Sequence, residues 1–185
     1  MANGSKASRW VKLVEIAATA AITSYDAVDG VGPYQVVKVK YEAGAGVGPD
    51  ERCGTLCIDA ANWQVTAEAW PRPRQPNEPR NPVGEAASIP VTVKYISCAT
   101  PMSSTGAPVN AEVGAAEQLA MMDLAWHVYR RLLVAETDWA KNRGPHLGDG
   151  PTGGIARVGV MTRLPVQAGG AGFQTTVTCK LGTDC

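Results

Sequence analysis

The sequence predicts an α+β fold: an antiparallel or mixed β-sheet with an N-terminal helix and one long helix packed on one face, closed by a C-terminal β-hairpin. Residues 111–135 contain no proline and a single glycine, and their apolar residues recur at helical spacing. Residues 155–181 instead alternate apolar and polar side chains around a glycine-rich turn, which is typical of two paired strands. Strands are grouped rather than alternated with helices, and this grouping favours an α+β class.

The long helix carries two apolar stripes. The first comprises Met121, Leu124, Ala125, Val128, Leu132 and Ala135. The second comprises Leu119, Met122, Trp126, Tyr129 and Leu133. A helix that packs on one side only needs a single stripe. We therefore expect this helix, capped by Asn110, to lie on the sheet and to have a second partner.

The remaining elements follow in chain order. Ser5 or Ser8 can cap a first helix that runs to about Ile22. Its predicted inner face is Trp10, Leu13, Val14, Ala17 and Ala21, with Lys12 and Glu15 outside. Strands are predicted at residues 34–41, 55–59, 64–70 and 88–99, and a flexible glycine-rich segment at 137–154.

In the C-terminal hairpin, residues 155–166 and 173–181 are the predicted strands. Val158, Val160, Thr162, Leu164 and Val166 are expected on one face, and Phe173, Thr175, Val177, Cys179 and Leu181 on one face of the returning strand. The turn at 168–172 is expected to use its glycines for positive φ angles.

Residues 1–185 are predicted to form one domain, interrupted by a Pro/Arg-rich extended arm or loop at 71–87. Two interpretations of this segment are open. It is an insertion without a role, or it is an arm that becomes ordered along a neighbouring subunit, with Arg72, Arg74 and Arg80 reaching acidic or carbonyl partners. We favour the second, because loops this long within small domains are usually functional.

The composition of the chain argues against several functional classes. The 17 basic and 17 acidic residues cancel, so no global field attracts nucleic acid or an acidic membrane. No apolar run reaches the ~20 residues that span a bilayer, and nothing at the N-terminus suggests export. Five cysteines, an odd number, are expected to be reduced thiols. Cys53 and Cys57 have a spacing that zinc tolerates, but no second pair follows, so neither a metal nor another cofactor is expected.

Catalytic machinery is not evident. There is no G-x-S-x-G elbow and no Walker loop. His127 is interpreted as a solvated partner of Asp123 on the long helix. His146 lies in a glycine-rich stretch that suits either an active-site loop or, more commonly, an ordinary surface loop. We therefore expect no enzymatic activity.

Three stretches carry a resemblance to a known family. They are SRWVKLVEIAATA at the start, the helix EQLAMMDLAWHVYRRLLVAE, and the close that runs from Arg163-Leu164-Pro165-Val166 through Gly169-Gly170 to Gly172-Phe173-Gln174-Thr175-Thr176-Val177-Thr178. From about Ser8 to Leu181, this order of elements resembles the tail terminator (tail completion) proteins of long-tailed bacteriophages. The chain departs from the family in its length and in the Pro/Arg segment at 71–83.

The resemblance implies a virion protein of the tail neck, assembled in the host cytoplasm. Such proteins form a homo-oligomeric ring, commonly a hexamer, that caps the tail tube protein, stops its polymerisation and meets the head-side connector or stopper protein. DNA would pass through the lumen without specific recognition, and no membrane is involved. The expected interface residues are Trp63, Trp70, Arg72, Arg74, Arg80, Met122, Trp126, Tyr129 and Trp139. For Trp63, Trp70 and Trp139, core packing explains the residue equally well.

Three other functions remain open. The first is another neck component, such as a head completion or stopper protein. The second is a small α+β enzyme that uses His146, and the third is a solitary binding module.

Overall fold

A computed structural model describes residues 6–25, 34–42, 53–60, 64–66, 77, 86–98, 110–141, 156–167 and 170–182. Within these ranges the chain forms two helices, α1 (Lys6–Thr23) and α2 (Ala111–Ala140). It also forms the strands β1 (Lys38–Glu42), β2 (Thr55–Asp59), β3 (Gln64–Thr66), β4 (Ala86–Cys98), β5 (Ala156–Val158), β6 (Thr162–Gln167) and β7 (Gly170–Gly182).

All seven described strands belong to one mixed sheet with the order β1-β2-β4-β7-β5. β3 adds to β4 and β6 adds to β7. The β1–β2 pair is parallel and the other pairs are antiparallel. The long β4–β7 ladder forms the centre of the sheet. The predicted α+β class with a C-terminal hairpin is therefore confirmed.

The core lies between this sheet and the two helices. Its largest fully buried side chains come from both layers: Trp10, Leu13, Val14, Ile22, Leu56, Ile58, Val91, Val93, Tyr95, Leu124, Leu132 and Phe173. Both helices contact the central strands β4 and β7 or their neighbours, and they also contact each other. Burial of the first stripe of α2 against the sheet confirms its predicted role.

The long helix extends further than its sequence pattern indicated. Its start is as predicted, with the Asn110 side-chain oxygen accepting a hydrogen bond from the Val113 N–H at 3.2 Å. Its end is at Ala140, so the expectation of a flexible segment from residue 137 was wrong for 137–140. The reason is Trp139, which lies seven residues after Leu132 and packs edge-on against Trp10 with ring centroids 5.5 Å apart.

The predicted strand at 155–166 is divided into β5 and β6. Val158 pairs with Val177, whereas Arg163 pairs with Phe173, so the edge strand contains one extra residue between these pairs. The Gly159 N–H donates to the Thr176 carbonyl at 2.7 Å within this bulge. An extra residue reverses the two faces of a strand. The prediction that Val158 and Val160 share a face was therefore wrong, and Val160 is largely exposed.

Gly172 has a different role from the one predicted. β7 starts at Gly170, so residues 170–172 belong to the strand rather than to the turn. A Cβ atom at Gly172 would overlap the backbone oxygen of Tyr95 on β4. The glycine thus permits close approach of two central strands. Among the described glycines, positive φ is found at Gly54, where φ is 76°.

The start of β4 at Ala86 moves one predicted boundary. Residues 86 and 87, the last two of the predicted arm at 71–87, belong to the strand. The rest of that arm, apart from the exposed Asn77, lies outside the described residues. Its role and the single-domain organisation stay predictions. Neither of the two described helices is apolar enough over a sufficient length to cross a membrane.

Cys53 and Cys98 form a disulfide bond with a Cα–Cα distance of 4.7 Å, so the expectation of reduced thiols was wrong for this pair. The antiparallel register that places Thr55 opposite Ile96 also brings residue 53 opposite residue 98. This pairing could not be predicted from the spacing of the cysteines, because the two residues are 45 positions apart. With Cys53 oxidised, the Cys53–Cys57 pair cannot offer zinc two thiolates. Cys57 is buried and takes no part in a disulfide bond.

Glu15 was predicted on the outside of α1 and is instead buried. Its carboxylate accepts hydrogen bonds from the Lys12 ammonium at 2.7 Å and from the Tyr41 hydroxyl. The hydrogen bond to Glu15 raises the pKa of both Lys12 and Tyr41 above their ordinary values. The hydrogen bond from Tyr41 links the edge strand β1 to α1. Because both hydrogen bonds satisfy the Glu15 carboxylate, a charged residue is tolerated at this buried position.

Candidate assembly surface on the long helix

The second apolar stripe of α2 is open to solvent. Leu119 is 64% exposed, Met122 is 55% exposed and Trp126 is 61% exposed, with Leu133 following in the same row. We call these four residues the crest. They point away from the buried first stripe, because the mean directions of the two stripes differ by about 140° around the helix at 100° per residue. No described residue of the chain covers the crest enough to bury it.

The crest is comparable in area to the largest apolar patch of a typical monomer. Its side chains together expose on the order of 500 Å², given that a fully exposed aromatic side chain presents about 150–250 Å². The largest apolar patch on a typical monomer is about 300–600 Å² and is often functional. The crest therefore has the properties of a contact surface for another protein.

One flank of the crest continues into a cleft against the C-terminal hairpin. This cleft has a volume of about 270 Å³. Among its lining residues are Met122, Trp126, Tyr129, Met161, Arg163 and Phe173. The rings of Trp126 and Tyr129 lie 6.0 Å apart at its edge. Methionine side chains adapt easily to the shape of a partner, so the cleft can accept a protruding side chain.

The other flank of α2 borders a second concave surface, which we call the interhelical groove. It has a volume of about 350 Å³ and lies between α1 and α2. Small and aliphatic side chains, including Ile16, Ala17, Ala20, Val134 and Ala135, form most of its lining. Arg131 and Asp138 add charge to it from α2. The sequence did not predict this groove; the alanines of α1 are the local feature compatible with it.

At one end of the groove, His127 joins the two helices. Its Nε2 atom lies 3.2 Å from the Ser24 hydroxyl oxygen, and its ring lies edge-on to Tyr25 with centroids 5.4 Å apart. The Ser24 hydroxyl also donates to the Ala21 carbonyl at 3.1 Å, which caps the last turn of α1. The sequence-based interpretation of His127 as a solvated partner of Asp123 was therefore incomplete. The contact between Ser24 and His127 links the last turn of α1 to α2.

The structure separates the predicted interface residues into three groups. Met122 and Trp126 are on the crest, and Tyr129 is half-buried beside them. Trp139 is buried and packs on Trp10, so it has the core role that the sequence left open for it. The other five, Trp63, Trp70, Arg72, Arg74 and Arg80, lie outside the described residues, as does His146.

Comparison with known proteins finds no matching protein family, and no curated protein matches the chain significantly. The class of this protein therefore follows from its fold and its apolar surfaces alone. The described chain is an α+β protein that presents one convex and two concave apolar surfaces along a single helix.

Proposed function

We propose that this chain is a structural protein of the phage virion, a tail terminator without catalytic activity. In this proposal, copies of the chain assemble into a ring, commonly a hexamer in the family it resembles. The ring caps the tail tube protein, stops its polymerisation and offers its other side to the head-side connector or stopper protein. DNA passes through the lumen and is not recognised specifically. The protein would be located in the tail neck.

The exposed crest of α2 is the observation that carries this proposal. A helix of 30 residues with a buried stripe on one side does not need a second apolar stripe for its own folding. Exposing Leu119, Met122 and Trp126 to water is unfavourable by about 25 cal/mol per Å² relative to covering them. Contact with another protein chain removes this unfavourable exposure, and a ring provides such a contact for every copy.

The experiment is the oligomeric state of the wild-type protein and of Trp126→Asp, measured by light scattering after gel filtration. We expect the wild type to form a ring and the variant to be a folded monomer, because Trp126 lies outside the core. Val37→Asp is a matched control, since Val37 is 73% exposed and lies before β1 rather than on α2. This control should assemble like the wild type, and circular dichroism should show native helix content in both variants.

Capping activity requires a second measurement with polymerising tail tube protein. Wild-type protein should shorten the tubes seen by negative-stain electron microscopy and should appear as an extra ring at one tube end. Trp126→Asp should leave tube length unchanged. A wild-type protein that stays monomeric at micromolar concentration and does not change tube length would refute the proposal.

A further inference from the structure

We propose that successive copies join head to tail, with the crest of one copy seated in the interhelical groove of the next copy and with the two α2 helices running in the same direction. This inference rests on the proposed function, because it specifies the contact by which the ring is built. It follows from the positions of the two surfaces, their shapes and their charges.

Of the apolar surfaces along α2, the crest and the interhelical groove lie on separate flanks of the helix and differ in shape. At 100° per residue, Asp138 on the groove lies about 120° around α2 from Trp126 on the crest. A two-fold symmetric dimer uses one self-complementary patch, whereas a head-to-tail contact uses two unlike patches that fit each other. A convex crest and a concave groove on separate flanks meet the second requirement. In an open chain of copies, only the two end copies then have an uncovered surface. Closure into a ring covers these two surfaces as well and is therefore favoured.

The two surfaces are also compatible in size. The crest from Leu119 to Leu133 is about 21 Å long, and the α1 wall of the groove from Leu13 to Ser24 is about 16 Å long, at 1.5 Å per helical residue. The groove volume of about 350 Å³ exceeds that of one indole side chain. Alanines at 17 and 20 leave room for close approach. The protruding Trp126 of one copy therefore fits between the helices of its neighbour.

Charged residues border both surfaces at the same spacing. Asp123 and Arg130 flank Trp126, one helical turn before and after it, and are seven residues apart. Arg131 and Asp138 on the groove are also seven residues apart, in the opposite order of sign. Both spacings correspond to about 10 Å along a helix. With parallel helices, Asp123 faces Arg131 of the next copy and Arg130 faces Asp138 of the next copy.

The same charges disfavour the alternative orientation. If the helices were antiparallel, Asp123 would face Asp138 of the next copy and Arg130 would face Arg131 of the next copy. Like charges placed opposite each other suppress an incorrect docking mode. The charge order therefore selects the parallel arrangement that rotational symmetry about a ring axis can repeat.

A mixing experiment tests the pairing of the two surfaces. Trp126→Asp removes the crest, and Ala20→Arg blocks the groove at a position that is exposed on α1. Each variant alone should be a folded monomer by circular dichroism and light scattering. An equimolar mixture should form a 1:1 dimer, because the intact groove of the first variant accepts the intact crest of the second. A mixture that stays monomeric would overturn the proposal.

A charge exchange tests the direction of the helices. The double variant Asp123→Arg/Arg130→Asp should weaken association at least about tenfold at low salt, and so should Arg131→Asp/Asp138→Arg. The quadruple variant should restore association to within about threefold of the wild type, because both pairs regain opposite charges. A quadruple variant as weak as either double variant would overturn the parallel arrangement.

The outcomes separate this inference from the proposed function. If the wild type forms a ring and Ala20→Arg forms the same ring, the crest-in-groove contact is wrong while the terminator proposal stands. If the wild type forms no ring, neither in solution nor at the ends of tail tubes, both proposals fail together.

Discussion

Breaking the Cys53–Cys98 bond should destabilise the fold measurably. The bond closes a loop with a sequence separation of 45 residues and holds the start of β2 against the end of β4. A cross-link over a loop of this length lowers the entropy of the unfolded chain by an amount worth about 4 kcal/mol at 25 °C. Removal of a native disulfide from a small domain typically costs about 2–5 kcal/mol. We therefore expect reduction, or replacement of both cysteines by serine, to lower the free energy of unfolding by about 2–4 kcal/mol.

The assay is urea denaturation followed by circular dichroism, with oxidised protein, reduced protein and Cys53→Ser/Cys98→Ser compared at one protein concentration. In a chain of this size the same loss lowers the melting temperature by roughly 5–15 °C. Reductant added to the double serine variant is the control and should leave its urea midpoint unchanged. That control separates opening of this bond from any effect of reductant on the buried thiols Cys57 and Cys179.

Alkylation decides whether a negative result refutes the reasoning. Of the five cysteines, three should react in denatured, unreduced protein, because two are held in the bond. If mass spectrometry shows this bond and reduction still leaves the urea midpoint unchanged, the loop-entropy argument is wrong. If all five cysteines react, the bond is absent and the sheet is held by its strand pairing and by its packing against the two helices.

Two further predictions concern the centre of the sheet. Gly172→Ala should destabilise the protein by about 2–4 kcal/mol in urea denaturation. The reason is that the alanine Cβ would overlap the Tyr95 backbone oxygen, and neither strand can move freely. An unchanged urea midpoint would contradict the close approach of β4 and β7. Burial raises the pKa of Tyr95 to about 12 from an ordinary value of 10.0. Because the folded state holds this proton more tightly, the contribution of Tyr95 to stability is complete below about pH 10 and is lost between about pH 10 and 12, with a total of roughly 2–3 kcal/mol. Denaturation measured against pH should show this loss in the wild type and a smaller one in Tyr95→Phe.

The candidate surface was predictable to a limited extent. The spacing of Leu119, Met122, Trp126 and Leu133 is enough to indicate a second stripe, because helical periodicity places such residues on one side. What periodicity could not decide is whether the stripe is covered by another part of the same chain. In the fold, this second stripe is exposed to solvent, whereas Trp139 near the end of the same helix is buried. The interhelical groove was not predictable, because it depends on how two helices distant in sequence pack together.

The sequence by itself determined the fold class, the positions of both helices and most strands, and the buried stripe of α2, since these depend on propensity and on periods of two or 3.6 residues within short segments. Only the tertiary structure decided the Cys53–Cys98 pair, the burial of Glu15 and the reversal of faces beyond Val158. Each of these depends on which residue of a distant segment lies opposite. Strand register and helix contact are set by the sum of long-range packing interactions, and no local pattern encodes that sum.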